Sequence, residues 1–160
     1  MKFYENLEDV MKHLTSSGAF LTVKAADGAV NTMTISWGFI GYMWSKPQFI
    51  AVVRPQRHTK KLLDSAVDFT VSVPFGNLTD ELKVCGTQSG RDINKAEVVK
   101  FVAAKETASP VVDNCGAYFE CKLNYIDKFD EAFLPKEIIE KVYSGGDYHE
   151  VFMGEIVVRH

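Results

Sequence analysis

Paired cysteines are missing. The three present in 160 residues, Cys85, Cys115 and Cys121, are odd in number and contain no C-x-x-C pair, which argues against a disulfide framework and a zinc ribbon. The four histidines, His13, His58, His149 and His160, have no H-x-x-x-H spacing, so no metal is expected. No apolar run reaches the roughly 20 residues of a membrane helix. Polybasic blocks are absent too, and 18 basic against 21 acidic residues leave a net charge of −3; neither a membrane nor a nucleic-acid partner is expected. There is no G-x-S-x-G elbow and no trusted acid–histidine–serine order, and the carboxylates are scattered, so neither hydrolase nor glycosidase chemistry has support. The start, "MKFYENLEDVMKHL", is acidic and amphipathic, unlike a secretory signal. A cytoplasmic, soluble protein of one domain, residues 1–160, is expected, its 46% hydrophobic content being enough for a sizeable core.

Charge is missing from one further place, the stretch Ala29 to Ser45. Within it, "NTMTISWGF" alternates Thr32, Thr34 and Ser36 with Met33, Ile35, Trp37 and Phe39. Alternation puts the hydroxyls on one strand face, about 6.5–7 Å apart. Taken alone, such a stripe suits ordinary strand residues on a partly wet face. It could also hydrogen-bond an extended polar ligand.

Leu7, Val10, Met11 and Leu14 predict a helix from about Glu5 or Asn6 to Ser16. "AFLTVKAADGAVNTMTISWGFIGYM" reads as two extended segments joined at "ADG". "QFIAVVR" suits a buried strand, "HTKKLLDSA" a short helix, and "DFTVSVP" an alternating strand. Residues 78–104 read as helix-rich, interrupted by "CGTQSGRD". "YFECKLNYIDKF" is a long strand, "LPKEIIEKVY" a helix with Pro in its first turn, and "YHEVFMGEIVVRH" a final strand. Many strands with few helices predict a mainly β, α+β architecture: a small antiparallel barrel decorated by short helices. A two-layer sandwich competes.

Three further clusters carry possible chemistry. In "RPQRHTKK", Arg57, His58 and Thr59 stand at a helix start, with Arg54 closing the strand before it; cations there suit a bound anion such as phosphate. The alternative is a solvated basic turn. "CGTQSGRDINK" combines Gly86 and Gly90 with donors from Thr87, Ser89, Arg91 and Lys95, has no evident buried anchor, and matches neither a P-loop nor a Rossmann turn. It reads equally as a plain loop or a ligand lid. His149 follows a flexible "SGG" and is more simply structural than functional, while Glu155 on its apolar strand is expected to bond a local partner.

In order and spacing, "NTMTISW", "VVRPQRHTKKLLDSAVDFTVSVP", "CGTQSGRDINK" and "HEVFMGEI" together resemble the flavin reductase-like FMN-binding family, which includes flavoredoxin-type proteins. The resemblance spans roughly Ala19 to Val158. It implies a split β-barrel with Greek-key connections, forming a homodimer with FMN in a groove near the interface. It also implies that Asn31, Thr32, Met33, Thr34, Ser36 and Trp37 line the flavin, with Met33, Ile35 and Trp37 anchoring that strand in the core. Arg54 would reach the ring or ribityl chain, and Arg57, His58 and Thr59 would hold the phosphate. Cys85, Gly86, Ser89, Gly90 and Lys95 would close over the cofactor, and His149 would stand on the nicotinamide side. No side chain would be a nucleophile, since the chemistry would lie on the flavin. The implied activity is NADH- or NADPH-dependent flavin reduction, with electrons passed to a small-molecule or protein acceptor. The alternatives are an FMN-bearing carrier without NAD(P)H activity and a binding module that has lost the cofactor.

Overall fold

A computed structural model describes residues 2–160. One seven-stranded antiparallel sheet takes strands from both ends of the chain, in the order β2-β1-β5-β8-β9-β4-β3. The strands are β1 Ala19–Lys24, β2 Val30–Ile35, β3 Gly38–Met43, β4 Lys46–Val53, β5 Asp68–Val73, β8 Ala117–Lys128 and β9 Glu150–Arg159, with a separate short pair β6 Phe101–Val102 and β7 Val111–Val112. The helices are α1 Leu7–Ser16, α2 His58–Leu63, α3 Thr79–Thr87 and α4 Lys136–Val142. The fold is the expected mainly β split barrel with short helices.

The stretch expected to hold two extended segments holds three. The charge-free run breaks at Ser36 and Trp37, so β2 and β3 are consecutive in the chain yet lie at opposite margins of the sheet. No glycine or proline lies within β2 or at Ser36 and Trp37, although Gly38 opens β3 directly after them. The departure comes from closure of the barrel rather than from a local turn signal.

Inside the barrel, Leu21, Val23, Met33, Ile35, Phe49, Ala51, Phe69, Val71, Phe119 and Phe152 form one core, capped by Val10 and Leu14 of α1 and by Leu62 and Leu63 of α2. Full burial of each large side chain contributes about 1.5–3 kcal/mol. A second, smaller cluster outside the barrel joins Phe20, Leu82, Cys85, Val99 and Val112 beneath α3.

The "DFTVSV" strand differs from a half-wet alternating strand, because all six of its residues are buried. Phe69, Val71 and Val73 face the core as the alternation predicts. The polar face is covered by residues 105–112, fastened across it like a belt. Glu120 accepts from the backbone N–H of Lys105 (3.0 Å), Glu106 (2.7 Å) and Thr107 (3.3 Å). Asp68 accepts from Ala108 (2.7 Å) and Ser109 (2.9 Å). Thr70 donates to Pro110 O, and Ser72 accepts from Val112 N–H. Every polar side chain on that face therefore meets a main-chain partner, as burial demands.

Candidate functional site

Along the margin where β2 ends, two cavities lie side by side and share Met33 and Arg57. The first, about 140 Å³, is walled by the β2 residues Asn31 and Thr32, by Arg57, His58 and Thr59 at the start of α2, and by Gly86 through Arg91 with Lys95. The second, about 270 Å³, is formed by Thr34, Ile35, Ser36, Trp37, Val52, Arg54 and His149 with the two shared residues.

Electrostatics set the first cavity apart. Arg57, Arg91 and Lys95 line it and, among the described residues, no carboxylate does. Burial lowers the Arg57 pKa. The Lys95 pKa is also lowered, by burial first and by Arg57, against an opposing pull from Cys85. His58 is lowered by burial and then by Arg91, Lys61 and Lys95, and its Nδ1 is buried without a hydrogen-bond partner. All three shifts disfavour the charged forms, chiefly through burial, with neighbouring cations adding to it at His58 and Lys95.

Local structure explains the placement. Asn31 donates from Nδ2 to Thr59 Oγ1 at 2.8 Å, tying β2 to α2. Arg57 donates to Gly86 O at 3.2 Å, tying α2 to α3. Lys95, only 3% exposed, donates from Nζ to Cys85 O (3.0 Å) and Gln88 O (2.6 Å). The loop therefore has a buried anchor after all: Lys95 satisfies carbonyls left free where α3 ends. Gly90 passes so close to Asn31 that a Cβ there would strike its Oδ1, and would lie 2.9 Å from His58 Cδ2. Only a residue without a side chain leaves that space open.

The profile of the "flavin reductase like domain" family matches residues 11–160. The chain belongs to this family. An uncharacterized protein of Archaeoglobus fulgidus is 26% identical over 152 residues, 93% of this chain and 75% of that one. Among solved structures, the FMN-binding protein of Thermus thermophilus with bound 1-cyclohex-2-enone superposes with a TM-score of 0.69 at 25% identity, covering 89% of this chain and 68% of that one. Flavoredoxin of Methanosarcina acetivorans gives 0.69 at 19%, covering 89% and 67%. An NADH:FAD oxidoreductase of Streptomyces globisporus gives 0.67 at 19%, covering 89% and 74%.

In this flavin reductase-like chain, Asn31, Thr32, Met33, Arg57, His58, Thr59, Gly86, Ser89, Gly90 and Lys95 meet at the first cavity, and Thr34, Ser36, Trp37, Arg54 and His149 at the second. Cys85 is the one expected site residue that does not arrive. Its side chain is buried in the second cluster under α3, where burial raises its thiol pKa, and it lies within the helix instead of interrupting it.

Two expectations about the hydroxyl stripe change. Thr32 is fully buried and accepts from the Thr22 hydroxyl at 2.9 Å. Thr34 donates to Leu82 O of α3 at 2.6 Å. Both hydroxyls are taken by protein partners, that of Thr32 by the neighbouring strand β1 and that of Thr34 by α3, which lies on that face. Trp37 is 51% exposed and does not anchor the core; it stands at the cavity edge, its ring 5.1 Å from that of His149.

Arg54 borders the second cavity, but its guanidinium pairs with Asp147 and donates to Val142 O at 3.1 Å. It thereby clamps the connection between α4 and β9. Asp147 and Tyr143 carried no local signal, since only folding brings them to Arg54. Arg91 was legible as a donor in "CGTQSGRDINK". Glu155 has its expected local partner, Lys46 Nζ at 2.7 Å.

Proposed function

We propose that the chain is an FMN-binding oxidoreductase that takes reducing equivalents from NADH or NADPH in the cytoplasm and passes them to a small-molecule or protein acceptor. The observation that carries this reading is the pairing of a cationic, carboxylate-free cavity with a second cavity edged by Trp37, the two meeting at Met33 and Arg57. A phosphorylated ring compound has the same division of chemistry. The residues fit such a group: His58 Nδ1 is an unpartnered buried polar atom, and Gly90 keeps open a cradle that a Cβ would fill.

Arg57, Arg91 and Lys95, with His58 and Thr59, would hold the phosphate. Met33, Thr34, Ser36 and Trp37 would meet the ring, and Arg54, already paired with Asp147, would border it. When bound, the flavin would supply hydride acceptance and electron release. The chain's residues hold and orient it, and the charges at the phosphate end fix it without entering the reaction. The homodimer the family implies is supported by the unpaired margin of β3, which leaves Phe39 (62%) and Tyr42 (66%) exposed, with Trp44 at the hairpin tip.

The visible spectrum of freshly purified protein should show bound flavin, and anaerobic mixing with NADH or NADPH should bleach it. Bleaching by dithionite alone would leave the electron carrier in place of the reductase. Colourless protein that does not quench added FMN fluorescence would overturn both. Gly90→Ala should weaken FMN about tenfold or more, in keeping with an overpacking cost of about 1–3 kcal/mol. Fluorescence titration checks this, and unchanged affinity would place the phosphate elsewhere.

A further inference from the structure

His149, on the wall of the second cavity, belongs to a polar pair that the flavin reading leaves unused. Tyr143 Oη and His149 Nδ1 are 2.7 Å apart, with the tyrosine ring packed edge-on to the imidazole at 5.5 Å between centroids. Both residues are buried, His149 at 7% exposure. The Trp37 ring, which also lines this cavity, lies 5.1 Å from the imidazole. The Arg54 guanidinium lies over the Tyr143 ring, 5.3 Å from its centroid, and its links to Val142 O and Asp147 hold both sides of the connection that carries the pair.

The direction of the hydrogen bond follows from the surroundings. Burial raises the Tyr143 phenol pKa, against an opposing pull from Arg54, so the phenol holds its proton at ordinary pH. Among the described residues Nδ1 is the one hydrogen-bond partner of that hydroxyl, and a phenol is a far better donor than acceptor, so its hydrogen lies on Nδ1. A neutral imidazole whose Nδ1 accepts must carry its proton on Nε2. His149 is neutral at ordinary pH, because burial, and then Arg54 against Asp147, lowers its pKa to about 4.

We propose that Tyr143 is a positioning residue: it fixes His149 as the Nε2–H tautomer, so that the imidazole offers a neutral hydrogen-bond donor to the carbonyl or carboxamide oxygen of a planar ring entering the second cavity. The carboxamide of a nicotinamide ring is the ligand of that class which the function proposed above supplies, and the ligand half of the inference rests on that reading. The tautomer does not. A neutral donor suits a neutral carboxamide, whereas an imidazolium would add a third charge beside Arg54 and Arg57.

Long-range 1H–15N NMR of the imidazoles at pH 7, with His149 assigned through His149→Gln, reads the tautomer in the protein itself. The expected result is a protonated Nε2 and an unprotonated, hydrogen-bonded Nδ1, shifting towards the Nδ1–H form in Tyr143→Phe. A protonated Nδ1 in the wild type overturns the proposal whatever the activity. In the flavin-loaded protein, Tyr143→Phe should raise the KM for NADH or NADPH about tenfold, the loss of one aligned hydrogen bond. Its affinity for FMN should stay within about twofold. An unmoved KM overturns the donor role. Wild-type protein that shows the expected tautomer but no reaction with either nucleotide would sink the reductase reading and leave the positioning role standing.

Discussion

Glu120→Gln should lower folding stability by about 3 kcal/mol, the scale of breaking a buried charged network by removing one partner. The carboxylate is fully buried on β8 and gathers three consecutive backbone N–H groups, those of Lys105, Glu106 and Thr107, with the His160 ring 3.3 Å away. Glutamine keeps the shape but offers one acceptor oxygen, and it turns an NH2 towards groups that are themselves donors. Each N–H left unmatched costs about 1–3 kcal/mol. For a chain of this length the melting temperature should fall by roughly 6–12 °C, read by thermal denaturation. Asp113→Asn, which removes only an exposed pair with Lys100, should barely move it. A comparably small shift for Glu120→Gln would mean that the belt over β5 is held by something else.

The same carboxylate gives a pH dependence of known sign. Burial pushes its pKa up, but the Lys105, Glu106 and Thr107 N–H groups and the His160 ring outweigh burial and hold it below the ordinary 4.5. As pH falls, the unfolded chain therefore binds its proton first. The stabilisation is complete above that ordinary value and drains away as pH drops through the folded one. Glu120→Gln should have a shallower acid limb than the wild type.

Arg57→Ala should weaken FMN by about 1.5–3 kcal/mol, roughly 10- to 150-fold, the value of a charge-assisted contact to phosphate. Riboflavin, which has no phosphate, should lose far less. The comparison is needed because Arg57 also donates to Gly86 O, so its removal could loosen the end of α3. Such loosening would weaken both ligands alike. Isothermal titration of the two separates the effects, and equal losses would count against a phosphate at the first cavity. Arg57→Lys should fall between, keeping the charge but not the planar fork.

Elements whose cause is local were legible in the sequence. Val10 and Leu14 sit on the buried face of α1 as their spacing requires, and "QFIAVV" lies within β4. The cluster Arg57, His58 and Thr59 was visible because three unlike donors in a row follow a strand end. Features that depend on distant chain were not legible. The break at Ser36 reflects the closing of the sheet, and burial of both faces of β5 depends on a belt some 40 residues further along. Arg54 meets Asp147 across 93 residues. A free guanidinium and a paired one look the same in a string of letters. The hydroxyl stripe misled for a related reason: alternation tells which residues share a face, but not that a helix lies on it.

The two margins of the sheet, β2 and β3, never pair with each other, and only Ser36 and Trp37 link them. A guest entering the gap there displaces no ladder bond, and its departure orphans none. Occupancy then strengthens the barrel by mass action alone, in step with the logarithm of free ligand.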